Sequence, residues 1–275
     1  MEGDRRRILA MGGGGFTMEP TPALDRHALE LSGKPVPKIC FLPTASGDPR
    51  EQATRFYERY RDWSCEPSIL SLFHLGRDRL DPREHLLAQD VIYVGGGSMR
   101  NMLAIWREHS VDEIMRAAWE RGIVLAGLSA GAMCWFEGGI TISGGSPAVA
   151  AGLGLVSGSL SVHLDGEPER LPVFREAIAT GRLPAGFAAD DGAALVLHGT
   201  DLHECVSSRA PARVFSIAPD GEGGTVQREL PVRPLPGASP GPGASAAGEA
   251  SSLVDAERDR VEELRALRGR HQRWD

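Results

Sequence analysis

The chain has 275 residues, 41% of them hydrophobic and 24% charged, the balance of a soluble globular protein with room for one α/β domain of about 230 residues and a tail. Its 30 Lys and Arg against 37 Asp and Glu leave a net charge of −7, which argues against a nucleic-acid binder. The four cysteines, Cys40, Cys65, Cys134 and Cys205, are scattered without a CxxC pair and argue against a disulfide framework or a zinc site.

Taken in chain order, short apolar runs alternate with helical patterns. The N-terminus, with only a short apolar run after Arg5-Arg6-Arg7, is not read as a signal peptide. Ile8-Leu9-Ala10-Met11 reads as a buried strand and runs into glycines 12 to 15. A second strand is predicted over Lys38–Pro43, a helix around Glu51–Asp62, a third strand over Ser68–Leu72 and a fourth over Val91–Val94, which ends in Gly95-Gly96-Gly97. Helices over about Met99–Glu108 and Ser110–Arg121 lead to a strand at Ile123–Ala126. Ala193–Leu197 and Arg213–Ile217 read as late strands suited to a hairpin. From about Leu230 the composition shifts: 231–252 is rich in Pro, Gly, Ala and Ser and is expected to be a disordered linker, and 253–275 a charged helix or tail. No apolar stretch approaches the roughly 20 residues that span a bilayer, and a cytoplasmic location is expected. Strands bounded by glycine and separated by helices predict an α/β fold over 1–230, a doubly wound, mostly parallel sheet with helices on both faces. In such sheets a ligand site lies at the carboxyl ends of the strands.

The segment with the sharpest chemical meaning is Gly127-Leu128-Ser129-Ala130-Gly131. It follows a strand pattern and precedes a helical pattern carrying Ala132 to Phe136. Gly-x-Ser-x-Gly in that setting is a nucleophile elbow, a tight turn that lifts the serine hydroxyl clear of the sheet. Without catalysis, the same residues make a small-residue turn with Ser129 capping the helix.

A serine nucleophile needs a base and usually an acid to orient it. Of eight histidines, His163 stands out, 34 residues after Ser129 in Val162-His163-Leu164-Asp165-Gly166. Candidates for the acid are Asp190, Asp191 and Glu137. An oxyanion hole needs two backbone donors, one from Ala130 and one from Gly96 or Gly97, where the missing side chain lets the main chain approach a substrate. His163, Asp165 and Glu167 alternate at strand spacing but read as a chance cluster, and neither a metal nor a cofactor is implied.

Val94-Gly95-Gly96-Gly97 with Asn101-Met102-Leu103, the elbow, Gly152-Leu153-Gly154 leading to His163, and Asp190-Asp191-Gly192-Ala193-Ala194-Leu195 together resemble the peptidase E/cyanophycinase family of serine peptidases. The openings Ile8–Gly14 and Phe41-Leu42-Pro43-Thr44-Ala45-Ser46 fit it too, and the resemblance covers about residues 8 to 220. It implies a flavodoxin-like fold similar to class I glutamine amidotransferases, and acyl transfer to Ser129 with His163 as base. It also implies substrates with an aspartyl group, such as dipeptides with N-terminal aspartate, and hence a cationic subsite for which Arg100 and Arg170 are candidates. Many relatives carry asparagine where this chain has Ser98. Many also carry an aspartate shortly after the elbow helix, where this chain reads Ile140-Thr141-Ile142-Ser143. The acid is then Asp191, Asp190 or Glu137, or the site is a dyad. An esterase or amidase on the same elbow, and a non-catalytic peptide binder, are the alternative functions. The partner expected is a small peptide, with a homo-oligomer left open.

Overall fold

The computed structural model describes residues 5–19 and 22–240. In chain order its strands and helices are β1 (Arg7–Met11), α1 (Ala23–Glu30), β2 (Lys38–Leu42), α2 (Arg50–Tyr60), β3 (Glu66–Ile69), α3 (Leu75–Asp78), α4 (Pro82–Leu87), β4 (Val91–Val94), α5 (Met99–Glu108), α6 (Val111–Glu120) and β5 (Val124–Leu128). There follow α7 (Ala130–Met133), β6 (Phe136–Thr141), β7 (Ala148–Ala151), β8 (Val156–Ser161), α8 (Arg170–Ala179), β9 (Gly186–Ala189), β10 (Ala193–His198), β11 (Asp201–Ala210), β12 (Val214–Pro219), β13 (Thr225–Leu230) and β14 (Val232–Pro240).

Two sheets form. The larger has the order β14-β11-β10-β1-β5-β4-β2-β3, and its β1, β5, β4, β2 and β3 are parallel neighbours. β10 joins β1 antiparallel, with Leu9 opposite Val196. The smaller sheet has the order β13-β12-β9-β8-β6-β7, parallel in the middle and antiparallel at both sides.

Side chains alternate across each strand, so one apolar run feeds two cores. Ile8 and Ala10 of β1, Cys40 and Leu42 of β2 and Ile92 and Val94 of β4 face α5, α6 and the smaller sheet, where Trp106, Met115 and Phe136 are fully buried. Leu9, Met11, Ile39, Phe41, Val91 and Tyr93 face α1 and α2, which contribute Leu24, Phe56 and Tyr60. Full burial of side chains of this size is worth about 1.5–3 kcal/mol each, which locks the register of the parallel strands. The loops after β1, β4 and β5, three adjacent strands, therefore emerge side by side at one edge.

Three expectations change. The elbow helix is a single turn, and Phe136 already begins β6, because Trp135 and Phe136 are drawn into the core shared with the smaller sheet. Ala193–Leu197 and Arg213–Ile217 do not form one hairpin: β10 pairs with β11, whereas β12 lies in the other sheet. Residues 232–240, expected as linker, form β14 beside β11, anchored by buried Leu235 and by Arg233 bound bidentately to Glu204. The charged helix expected beyond residue 252 lies outside the described residues. Among the described residues no helix is long and apolar enough to cross a membrane.

Candidate active site

Ser129 leaves β5 with φ 54° and ψ −114°, in the left-handed half of backbone space that a residue with a side chain rarely adopts. Its N–H donates to the Met11 carbonyl at 3.1 Å, and its own carbonyl accepts from Ala132 and Met133 at 3.0 and 2.9 Å, so the strand turns directly into α7. The flanking glycines serve close approach. A Cβ on Gly127 would run into the Gly131 backbone, and one on Gly131 into the Val94 and Gly95 carbonyls. The motif is thus needed to press the turn between β1 and β4.

His163 follows β8 on an irregular loop, also left-handed at φ 55°. Its N–H donates to the Gly12 carbonyl at 3.1 Å, which brings the loop over the end of β1. Nε2 lies 2.8 Å from Ser129 Oγ, and Nδ1 lies 2.5 Å from Asp191 Oδ1. A carboxylate only accepts, so Nδ1 carries the proton and Nε2 is left to accept from the serine hydroxyl. Gly13 is the floor of this pair: a Cβ there would collide with the Asp191 carboxylate and lie 2.8 Å from the His163 ring.

The other carboxylates sit elsewhere. Asp190 is buried, and its Oδ2 accepts from the Arg213 backbone N–H at 2.9 Å and from Nε at 3.0 Å. Glu137 is exposed on β6 and accepts from the Gly158 N–H at 3.1 Å. Ile142 falls just beyond β6. Of the oxyanion candidates, Ala130 opens α7, and a Cβ on Gly96 would stand 3.2 Å from Ser129 Cβ, whereas Gly97 backs onto the Ala45 carbonyl. Ser98 caps α5, its Oγ accepting from the Asn101 N–H at 3.3 Å, a task asparagine performs equally well. Arg170 is buried, its guanidinium bound to Glu167 and to the Ile140 carbonyl, which makes it an internal fastener. Arg100 is exposed and donates to the Val149 carbonyl at 2.9 Å.

The profile of peptidase family S51 matches residues 8–205. The chain belongs to this family. The uncharacterized peptidase YgaJ of Bacillus subtilis (strain 168) is 44% identical over 232 residues, covering 84% of this chain and 97% of that protein. Among solved structures, a peptidase from an acI-B1 Actinobacterium superposes with a TM-score of 0.62 at 17% identity, over 82% of this chain and 94% of that one. A protein described as a peptidase E from Listeria monocytogenes EGD-e superposes with 0.53 at 15% identity, over 82% and 99%. At these identities the structural likenesses speak for the fold.

In this S51 peptidase the shell around the triad-like chain is supplied by Asp165, which the sequence offers only as part of a chance cluster, and by residues that no motif flags. Asp165 Oδ1 accepts from the Asp191 N–H at 2.8 Å, and its other oxygen binds Arg209 of β11. Glu19 takes the Ser208 hydroxyl, and burial raises its pKa. Asp25 of α1 is completely buried beneath the loop after β1, accepting from the Phe16 N–H at 3.2 Å and the Tyr60 hydroxyl at 2.9 Å. Burial pushes its carboxyl up to about 7. These positions lie up to 189 residues from their partners in sequence, so no local pattern announces them.

Proposed function

We propose that this S51 peptidase is a serine-type enzyme that hydrolyses short peptides, foremost dipeptides with N-terminal aspartate, through an acyl-serine intermediate. The reading is carried by the unbroken hydrogen-bonded chain Ser129 Oγ–His163 Nε2 and His163 Nδ1–Asp191 Oδ1 at the carboxyl edge of the parallel strands. Ser129 Oγ attacks the scissile carbonyl while His163 Nε2 takes its proton. Asp191 keeps the ring in the productive tautomer and stabilises the imidazolium. The oxyanion is received by the Ala130 N–H and a backbone N–H of the Gly96-Gly97 turn. The imidazolium then protonates the leaving amine, and water, deprotonated by the same ring, releases the acid.

The aspartyl preference rests on the family resemblance and needs a cation near the elbow. Arg100, at the start of α5 just past the glycine loop, is the candidate for it, since Arg170 is consumed internally. The test is release of free amino acid from Asp-X, Glu-X, β-Asp-Arg and neutral dipeptides. Cleavage confined to Asp-X, lowered by about 10⁴-fold or more in Ser129→Ala, is expected. Hydrolysis by Ser129→Ala at the wild-type rate refutes the serine mechanism, and equal cleavage of neutral dipeptides refutes the preference.

A further inference from the structure

We propose that Asp165 and Arg209 form a positioning pair that sets the Asp191 carboxylate against His163; the proposal rests on the serine mechanism above. Asp191 lies in the three-residue turn 190–192 that crosses from β9 of the smaller sheet to β10 of the larger, outside any regular element. Its neighbours are each tied down. Asp190 N–H donates to the Arg213 carbonyl at 2.9 Å, Gly192 N–H to the Gly13 carbonyl at 3.1 Å, and the Gly192 carbonyl accepts from the Ser208 N–H at 2.8 Å. The Asp191 N–H itself goes to Asp165 Oδ1 at 2.8 Å.

Asp165 stands two residues beyond His163 on the same loop. That loop therefore grips Asp191 at two points: the imidazole takes the carboxylate, and Asp165 takes the backbone amide of the same residue. Two attachments between one loop and one residue fix both the distance and the direction of the carboxylate, whereas a single hydrogen bond leaves the Asp191 peptide free to tilt between its tied neighbours.

Arg209 makes this arrangement electrostatically tenable. Asp165, Asp191 and Glu19 bring three carboxylates into one neighbourhood. The Arg209 guanidinium binds the second oxygen of Asp165, and its stem lies against Gly192, where a Cβ would stand 2.8 Å from Cγ. Arg209 is held in turn by the Pro211 carbonyl at 3.0 Å. Burial acts to raise the Asp165 pKa, but the Asp191 N–H and Arg209 together hold it below the ordinary carboxylate value, so Asp165 stays an acceptor.

The test compares kcat and KM for the cleaved dipeptide, the rate of fluorophosphonate labelling at Ser129, and the downfield proton resonance of His163 Nδ1–H. Asp165→Ala is expected to lower kcat and labelling by about 10- to 100-fold with KM within about twofold. Asp165→Asn keeps an oxygen for the Asp191 N–H and is expected within about threefold of wild type. In an Asp191→Ala background, Asp165→Ala is expected to cost nothing further, because the pair acts through Asp191. Full activity of Asp165→Ala, or an undiminished loss in the Asp191→Ala background, overturns the proposal. If Asp165→Ala does not fold, Arg209→Gln against Arg209→Lys answers the same question: glutamine lowers kcat while lysine keeps it, and equal rates for both overturn the pair. If wild-type Ser129 takes no label, the serine mechanism falls by itself. Positioning is then read from the His163 resonance, supported by its loss in Asp165→Ala but not Asp165→Asn and overturned by its persistence in Asp165→Ala.

Discussion

Ser129 and His163 carry nearly the same left-handed φ, 54° and 55°, yet they are built by unlike regions of the molecule. Ser129 stands on a strand-to-helix turn inside the parallel half of the large sheet, wedged between β1 and β4 by glycines that admit no Cβ. His163 and Asp191 stand on loops at the seam where the two sheets meet, held by each other, by Asp165 of the His163 loop and, through Asp165, by Arg209 of β11. Each such backbone costs on the order of 1–3 kcal/mol and persists only where its surroundings over-determine it. In the parallel region close packing of main chain does this, and at the seam a polar network does. The first device tolerates no enlargement, and the second tolerates no loss of a hydrogen-bonding partner.

The comparison is broken most forcefully at the seam. Asp191→Ala is expected to reduce kcat by about 10³- to 10⁴-fold while Ser129 and its turn remain in place, as checked by peptide turnover together with an unchanged circular dichroism spectrum. Activity within tenfold of wild type removes Asp191 from the proposed triad. A middle effect concerns the loop after β1, which lies under both regions. Folded Asp25 titrates near 7, against about 4 for an aspartate in the unfolded chain. Between those values the folded chain holds a proton that the unfolded chain has released, so stability present below about pH 4 is lost as the pH rises through 7. Asp25→Asn cannot titrate and is expected to flatten the fall of Tm between pH 4 and 8, a difference of about 4 kcal/mol at most. A slope equal to that of wild type contradicts this origin. The smallest effect sharpens the contrast between the seam and the outer face of the smaller sheet: Glu137→Gln, exposed and bound to Gly158, is expected to keep kcat/KM within about twofold. A loss of tenfold or more gives Glu137 a part in the chemistry.

How far the sequence could be read follows the same division. The parallel strands announce themselves because burial on both faces makes them continuous apolar runs, as in Ile8-Leu9-Ala10-Met11 and Val91–Val94, and the elbow because its steric needs fall on five consecutive residues. His163 stands out by its setting, downstream of the elbow and after the glycine run 152–154, and by the family resemblance. The choice between Asp190 and Asp191 could not be read, because adjacent residues in one turn look alike until the turn is folded: one points to Arg213 and the other to His163. Of the smaller sheet, β12 is legible as the apolar run Arg213–Ile217, but β6, β8 and β9 are hidden: Gly138, Gly139, Gly158 and Gly186 at close crossings dilute their apolar signal. Asp165 and Arg209, 44 residues apart, carry no mutual signal at all. Arg170 illustrates the reverse case, a cation near His163 in sequence whose charge is spent on Glu167 and the Ile140 carbonyl.

β14 has a further consequence. It stands at one end of the large sheet's strand order, where an unpaired row of amides would invite another chain to add a strand. Pro234 and Pro236 are two residues apart, so both missing N–H groups fall on the same side of the strand, and only the side turned away from the sheet can lack them without breaking the ladder. The composition that reads as a linker thus serves as a selvedge: it finishes the woven edge with a border that offers neighbouring molecules too few donors to continue the fabric.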